Sequence, residues 1–474
     1  MPSPDSNRIL PLQPFTRTYR MIMRRAIRLS ILLLVVCLPW IPTSVSAQDV
    51  EAPSIPATLA DLQSGRVDHV VLISIDGLRP DFYLDATWPA PTLQELARQG
   101  AHAVAVRPAF PSVTFVSHTT MVTGAPPADH GIFQNRTREQ PGPVARSYWH
   151  ADSIRVPTLW ERVREAGGTT ASLWWPVTVG AEIDWNLPVP PQPDDPGATR
   201  LDMLRAAVHP ADLLDELERN ATGRLTPENF ANGSRGKEAR IGAMAAYLIE
   251  THRPTLTLVH IVTTDEYQHE HGREHPQVRR AVASADRVVG RIVEALEAAG
   301  IEDRTAIVVT GDHGFIDVER LLAPNAWLRE AGLLAEKTSS DGARFLTTGG
   351  SALLYSDSSD EGIVARVEQL LASLPVGIRD AFQVVTPERL AAVGAEADVR
   401  LALSARPGYR FTEDANAEPV SEPGERSGRH GHFPFEHEIH TGFIGYGPGV
   451  PAGLRIEEGS LEDIAPFILQ ALGI

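Results

Sequence analysis

An α/β fold, with a mostly parallel central sheet and helices on both faces, is the architecture this sequence predicts, and three observations predict it. Short runs dominated by β-branched and apolar residues (His69–Ile75, Thr169–Trp174, Thr255–Val262, Thr305–Thr310) are nearly continuous in their apolarity, as strands covered on both faces must be. Segments of helical periodicity separate them, the alternation that produces parallel strands joined by crossover helices. Carboxylates and imidazoles gather just beyond the ends of the runs, at the edge where open α/β sheets bind ligands. With 474 residues, 43% hydrophobic and 22% charged, the chain can bury a large core.

The first 47 residues stand apart. Arg24, Arg25 and Arg28 precede the apolar run Leu29–Leu38, and Val45-Ser46-Ala47 offers small residues for cleavage. Residues 1–47 therefore read as a leader and signal peptide cut after Ala47, with Met21 or Met23 available as the start. The run is shorter than the ~20 residues a membrane-spanning helix needs, so no stable membrane anchor is expected in the mature chain. That chain, residues 48–474, reads as one periplasmic or secreted domain with decorating insertions near 140–235 and 317–427. The single cysteine, Cys37, would leave with the leader, and oxygen and imidazole remain as metal ligands. The formal charge of -17 argues against binding duplex nucleic acid but not against a small phosphate substrate, because bound cations can reverse the field in one pocket.

Taken in order, His69–Ile75 is a central strand that delivers Asp76-Gly77 at its carboxyl end, where Asp76 either caps the next turn or serves a site. Pro91–Gly100 is a helix with a glycine stop, and Ala101–Val106 a strand. The stretch Arg107–Gly124 follows: two prolines hold an extended approach, Ser112 or Thr114 can cap, and a short helix runs from Phe115 to Gly124. Thr114 is either a cap or a nucleophile. Asn135, in the turn-rich loop after Gly124, is either a turn residue or an amide donor aimed back at the site. Pro157–Ala166 is a helix, Thr169–Trp174 a strand ending in Trp175-Pro176, and Pro188–Pro196 a surface excursion or rim. Leu201–Asn220 and Gly236–Thr251 read as helices.

The strand Thr255–Val262 leads to Asp265 and His269, whose spacing puts both on one helical face within reach of one ion, although such a pair can equally be a surface pair. After the Pro276–Ala299 helix, Thr305–Thr310 ends in Gly311-Asp312-His313-Gly314, where flanking glycines permit a loop tight enough for both side chains to bind metal. Helices are expected near Val318–Ala331 and Glu361–Leu374, and a strand at Ser351–Tyr355. Gly428-Arg429-His430-Gly431 repeats the imidazole between glycines, Thr441–Tyr446 returns to strand, and Leu461–Leu472 closes the chain as an amphipathic helix.

The ordered set Asp76-Gly, Phe110-Pro-Ser-Val-Thr114-Phe, Val122-Thr-Gly, His130-Gly-Ile132 with Asn135, Asp265-x-x-x-His269, Asp312-His313-Gly and Gly428-x-His430-Gly resembles the nucleotide pyrophosphatase/phosphodiesterase family of the alkaline phosphatase superfamily. Family members commonly have Lys before the Thr and Pro-Asn before the following His; here Val113, Val116 and Ser117 stand there. The resemblance implies an alkaline phosphatase-like three-layer sandwich with its metal site at the carboxyl ends of the strands. It implies two zinc ions, one held by Asp76, Asp312, His313 and the Thr114 oxygen, the other by Asp265, His269 and His430. It further implies hydrolysis of a small-molecule phosphodiester or nucleotide through attack by Thr114, with Asn135 as a phosphate donor. Phe115, Trp174 and Trp175 are aromatic candidates for stacking a nucleobase, or else core residues. No Lys or Arg occurs between Glu165 and Thr199, which favours a diester or pyrophosphate over a monoester dianion. The other readings are a phosphomonoesterase or phosphonate hydrolase of the same superfamily and a catalytically idle binding protein.

Overall fold

A computed structural model describes residues 58–137, 147–230, 234, 236–335, 342–356, 362–434 and 436–474. The leader, Cys37 and the cleavage site at Ala47 lie outside the described residues. Among the described residues, nine strands form the main sheet. In chain order they are β1 (His69–Ile75), β2 (Ala101–Arg107), β3 (Thr170–Leu173), β4 (Trp185–Leu187), β5 (Leu256–Ile261), β6 (Thr305–Thr310), β7 (Thr441–Tyr446), β8 (Leu454–Ile456) and β9 (Gly459–Ser460). Across the sheet the order is β8-β2-β7-β6-β1-β5-β3-β4, with β9 also on β2. Every pairing is parallel except those of β7, which runs antiparallel to both β6 and β2.

The near-continuous apolarity of β1 follows from its central place. Val71, Ile73 and Ile75 enter one core with residues of the helices Lys237–His252 and Pro276–Ala299, while Val70 and Leu72 enter another with the helices Leu159–Glu165 and Ile464–Leu472. Successive side chains of a strand point to opposite faces, so helices on both faces require apolar residues at every position. Each such residue removed from water contributes roughly 1.5–3 kcal/mol before the entropy of ordering it.

Three expected helices differ. Leu201–Asn220 is broken: Arg200–Ala207 is followed by Leu213–Leu217, because Pro210 lacks the amide that would continue the first helix. In place of a helix over Val318–Ala331 there is a strand, Ile316–Leu322, and then a helix, Pro324–Glu330, with Pro324 at its first turn. At the carboxyl end, a short 3-10 turn, Leu461–Asp463, precedes the helix Ile464–Leu472.

The chain between β6 and β7 builds two small sheets. One is antiparallel, in the order Phe382–Val385, Leu401–Ala405, Ser351–Ser356, Ala343–Thr347, over its own core that includes Phe345, Phe382 and Leu403. The other places Ile316–Leu322 between Gly408–Phe411 and Ser427–Arg429. In it Ile316 lies opposite Arg429, so the chain returns beside the point where it left and delivers His430 next to His313.

Candidate metal centre and active site

Parallel strands share a carboxyl edge, and Asp76 (after β1), Asp265 (after β5) and Asp312-His313 (after β6) all follow that edge directly. β7 runs the other way, so the chain entering it, which carries His430, reaches the same edge. Two clusters result, Asp76–Asp312–His313 and Asp265–His269–His430, each with its ligand atoms within 4.8 Å of one another. The imidazoles of His313 and His430 stack at 3.7 Å, which joins the clusters, and Phe315 packs against the rings of His269, His313 and His430.

Each candidate ligand is aimed by bonds to its other atoms. Asp312 Oδ1 accepts the backbone N–H groups of Gly77 (2.9 Å) and His313 (3.1 Å), which leaves Oδ2 free. Gly77 stands at φ 70°, and a Cβ there would meet the Phe315 ring and the Gln268 amide. Thr264 donates to the Asp76 carbonyl (2.6 Å) and Gln268 to that of Gly77 (2.9 Å), which ties the helix Thr263–His271, carrying Asp265 and His269, to the turn after β1. That helix has no side-chain cap of its own; Glu238, from another helix, accepts the N–H groups of Val262 (3.2 Å) and Thr263 (2.8 Å).

The histidines present lone pairs to the centre. Nδ1 of His269 faces the Gly428 carbonyl (3.0 Å), that of His430 the Ser112 carbonyl (2.9 Å) and that of His313 the Gly314 carbonyl (3.2 Å). A carbonyl only accepts, so Nδ1 carries the proton in each and Nε2 is an acceptor in the neutral ring. The facing atoms are therefore acceptors without donors. His313 Nε2 lies 3.1 Å from Asp312 Oδ2 and 3.5 Å from Asp76 Oδ1. His269 Nε2 lies 3.0 Å from His430 Nε2 and 3.3 Å from Asp265 Oδ1, which is 3.6 Å from His430 Nε2. Asp76 Oδ1, Asp312 Oδ2, His313 Nε2 and Asp265 Oδ1 are buried and make no hydrogen bond.

Such convergence is costly unless a cation occupies the middle. Burial, then the carboxylates of Asp312 and Asp265, drive the Asp76 pKa well above its usual value. Burial opposes ionisation of Asp265, but His269 and His430 outweigh it and hold its pKa low. Burial likewise disfavours the charged form of His269, yet Asp265 raises its pKa, whereas burial, His313 and His269 push His430 well below the ordinary range. Ligand atoms 2.0–2.1 Å from a tetrahedral ion would lie about 3.3 Å apart. The observed spacings bracket that value, so nitrogen and oxygen donors in both clusters fit a zinc-like ion.

Thr114 opens the helix Thr114–Thr123, in which Phe115 to Val122 are all buried while Thr114 keeps partial exposure. The expected cap is not formed: Val113 is the extended residue before the helix, and no side chain caps it. The Thr114 hydroxyl thus makes no hydrogen bond among the described residues. Its segment is bonded to the centre on three sides: the Ser112 carbonyl holds His430, the Thr114 carbonyl accepts from His118 (2.8 Å), whose Nδ1 lies 3.8 Å from Asp312 Oδ2, and Phe115 donates its N–H to Asn135 Oδ1 (2.9 Å). With Oδ1 so engaged, the NH2 group of Asn135 is its remaining donor.

The aromatic candidates fall differently. Trp174 and Trp175 are 2% and 0% exposed and belong to the two cores on opposite faces of the sheet, so their faces are taken up by protein and neither is placed to stack a base. Phe115, 9% exposed, meets Trp149 edge-on at 5.5 Å.

Sequence reasoning passed over two histidines beneath the centre. His260 Nδ1 faces the Trp174 carbonyl (3.0 Å) and its Nε2 lies 3.2 Å from Asp76 Oδ2; His118 packs on it at 4.2 Å. Burial lowers the pKa of each to about 3. A histidine inside the apolar run Thr255–Val262 was a visible signal, since a buried strand seldom carries one without a partner.

The sequence matches the type I phosphodiesterase / nucleotide pyrophosphatase profile over residues 70–432. It is 28% identical over 253 residues to an uncharacterised pyrophosphatase/phosphodiesterase of Schizosaccharomyces pombe (52% of this chain, 44% of the relative). It is 25% identical over 277 residues to human ectonucleotide pyrophosphatase/phosphodiesterase family member 7 (56% of this chain, 52% of the relative). These matches span about half the length of the curated relatives, or less. The fold is similar to that of human ectonucleotide pyrophosphatase/phosphodiesterase 5, with a TM-score of 0.61 at 18% identity, covering 86% of this chain and 95% of that one. An inactive form of the murine protein in complex with AMP is also similar, at a TM-score of 0.60 and 17% identity over the same shares. The chain therefore belongs to the type I phosphodiesterase / nucleotide pyrophosphatase family, within the alkaline phosphatase superfamily.

Proposed function

We propose that the chain is a secreted or periplasmic two-zinc phosphodiesterase/nucleotide pyrophosphatase, a single catalytic domain over residues 48–474 that works through a phospho-threonine intermediate. The observation that carries this reading is the pair of converging acceptor clusters, spaced for tetrahedral ions, beside a helix-opening Thr whose hydroxyl makes no hydrogen bond among the described residues. Asp76, Asp312, His313 and the Thr114 oxygen would hold one ion, and Asp265, His269 and His430 the other. When bound, the ions supply Lewis-acid charge that lowers the proton affinity of the oxygens they hold and balances the charge that develops during displacement.

The side chains do the rest. Thr114 gives up its proton to solvent water and its oxygen attacks phosphorus in line; a Thr–O–P bond forms as the bond to the leaving oxygen breaks, and the leaving group departs with the electron pair. Asn135 donates its NH2 group to a phosphoryl oxygen, held in place because its own oxygen is tied to Phe115. Water then cleaves the Thr–O–P bond and restores the hydroxyl. A nucleotide substrate is consistent with the AMP held by the similar murine protein.

The test is Thr114→Ala, which should bind two zinc ions per chain and fail to hydrolyse a nitrophenyl nucleotide diester. Turnover at the wild-type rate would overturn the nucleophile assignment. A large preference of the wild-type chain for nitrophenyl phosphate over the diester would favour the monoesterase reading, and failure to bind zinc after supplementation would favour the idle one.

A further inference from the structure

The stretch before the nucleophile helix runs beside the loop that carries His430, and Ser112 joins the two with both of its oxygens. Its carbonyl accepts from Nδ1 of His430 (2.9 Å), and its hydroxyl donates to the His432 carbonyl (2.9 Å). The two bonds fall on either side of Gly431, so together they fix the loop's position and its rotation. The sequence offered Ser112 as a helix cap; its hydroxyl instead reaches a residue 320 positions away in the chain. Ser112 is fully buried, so bulk water replaces neither bond. Just before it, Phe110 meets Phe433 edge-on at 4.9 Å, in a core cluster shared with Leu353 and Val385 of the small antiparallel sheet.

The far side of the loop is held as well. The Gly350 N–H donates to the His430 carbonyl (2.8 Å), and Thr348 Oγ1 donates to that of Gly431 (3.1 Å). Gly431 stands at φ 88°, and a Cβ there would meet the Thr348 carbonyl, so the loop packs closely on that turn. The loop is thus clasped between the turn and Ser112. Thr114 lies two residues beyond Ser112, and an in-line displacement puts the leaving oxygen opposite the attacking one. With Thr114 on the Asp76–Asp312–His313 side, the leaving oxygen faces the Asp265–His269–His430 side. The span between the two sides must therefore match the reacting phosphorus, and a misplacement of about 1 Å costs about 100-fold in rate.

We propose that Ser112 is a positioning residue whose carbonyl and hydroxyl set the span between the Thr114 oxygen and the Asp265–His269–His430 cluster, and with it how fully charge on the leaving oxygen is balanced. The assignment rests on the two-ion phosphodiesterase reading above and deepens it. Ser112 touches no reacting atom; its hydroxyl acts through the His432 carbonyl on the ring of His430. Removing that hydroxyl leaves the Ser112 carbonyl, the Phe110–Phe433 packing and every proposed ligand in place. The loss therefore loosens the register of the loop without taking away a ligand.

The test uses zinc-loaded full chain and the variants Ser112→Ala, Ser112→Thr and Phe433→Leu. Chelator competition gives the affinity of each ion, and kcat/KM is compared for the phenyl and nitrophenyl esters of thymidine monophosphate, whose leaving oxygens differ in basicity. Ser112→Ala should weaken the ion that Asp265→Asn also weakens by about 10- to 100-fold, as for an outer partner of a metal ligand, and leave the other within about 2-fold. It should lower kcat/KM for the phenyl ester about 10-fold more than for the nitrophenyl ester, because the more basic leaving oxygen depends more on charge balance. Ser112→Thr keeps the hydroxyl and should restore both values. Phe433→Leu thins the same contact but keeps both bonds, and should lower the melting temperature without changing the ester ratio. An ester ratio and both zinc affinities within about 2-fold of wild type in Ser112→Ala would overturn the assignment, as would an equal change of ratio in Phe433→Leu. If the wild-type chain hydrolyses neither ester yet Ser112→Ala weakens that one ion alone, the positioning role stands and the phosphodiesterase reading falls.

Discussion

Asp265→Asn separates the metal reading from an ordinary buried polar network. The substitution keeps the side chain's size and removes the only carboxylate of the second cluster. Losing one charged ligand of three should weaken that ion by at least about 100-fold, the upper end of what the outer partners of metal ligands are worth. At a fixed free zinc concentration this removes about 2.8 kcal/mol of linked stability. With an unfolding entropy of about 2.1 cal/mol/K per residue over the compact unit Ile55–Ile474, the melting temperature should fall by about 3 °C. Without metal the sign reverses or vanishes: the amide of Asn can donate to His269 or His430 Nε2 and relieves the crowd of acceptors. The assay is thermal unfolding of both proteins in zinc-buffered solution and in chelator, with metal content measured alongside. Retention of two ions at wild-type affinity would refute the ligand assignment, and an equal loss of stability in both buffers would refute the cation argument.

Asn135→Ala should cut kcat roughly 100- to 1,000-fold with little change in KM, because the amide acts on charge that develops during displacement; steady-state kinetics check this, and a change confined to KM would contradict it. Gly311→Ala places a Cβ against the Thr441 hydroxyl, Leu78 Cβ and the Ile75 carbonyl, and should cost about 1–3 kcal/mol in denaturant unfolding. His130, buried and bonded to Thr120 and Ile132, has its pKa lowered by burial to about 3, against 6.5 in the unfolded chain. The unfolded chain thus takes up the proton more readily, so stability is full above about pH 6.5 and lost as pH falls toward about 3. Between pH 7 and 5 this single group should contribute about 2 kcal/mol, measured as the difference in pH dependence of the urea midpoint between the wild-type chain and His130→Asn.

The candidate ligands stood out in the sequence because each follows a strand end or lies between glycines, and both signals are local. The direction of β7 was not. An antiparallel strand inserted between two parallel ones leaves no mark on its own pattern, yet that reversal brings His430 to the carboxyl edge. Thr114 could be seen as important but not as uncapped, since the choice between Ser112 and Thr114 turns on which residue takes the extended backbone, and Val113 does. The two tryptophans stayed open between a stacking surface and the core because sequence cannot tell a buried aromatic from a half-exposed one, and the structure buries both. The helix expected over Val318–Ala331 overlaps the end of the strand Ile316–Leu322 because the sequence IDVERLL lacks the strict apolar–polar alternation that marks a strand.

The pairing of Ile316 with Arg429 works as a neck. Beyond it lies a long excursion with its own small core; at it, the chain passes within a few residues of a proposed ligand on either side, His313 going out and His430 coming back. An insertion closed at its base can lengthen, shorten or change its surface without moving what lies below the closure. Substitutions inside the excursion's own core should therefore leave the spacing of the two clusters unchanged, whereas substitutions at the neck should disturb it.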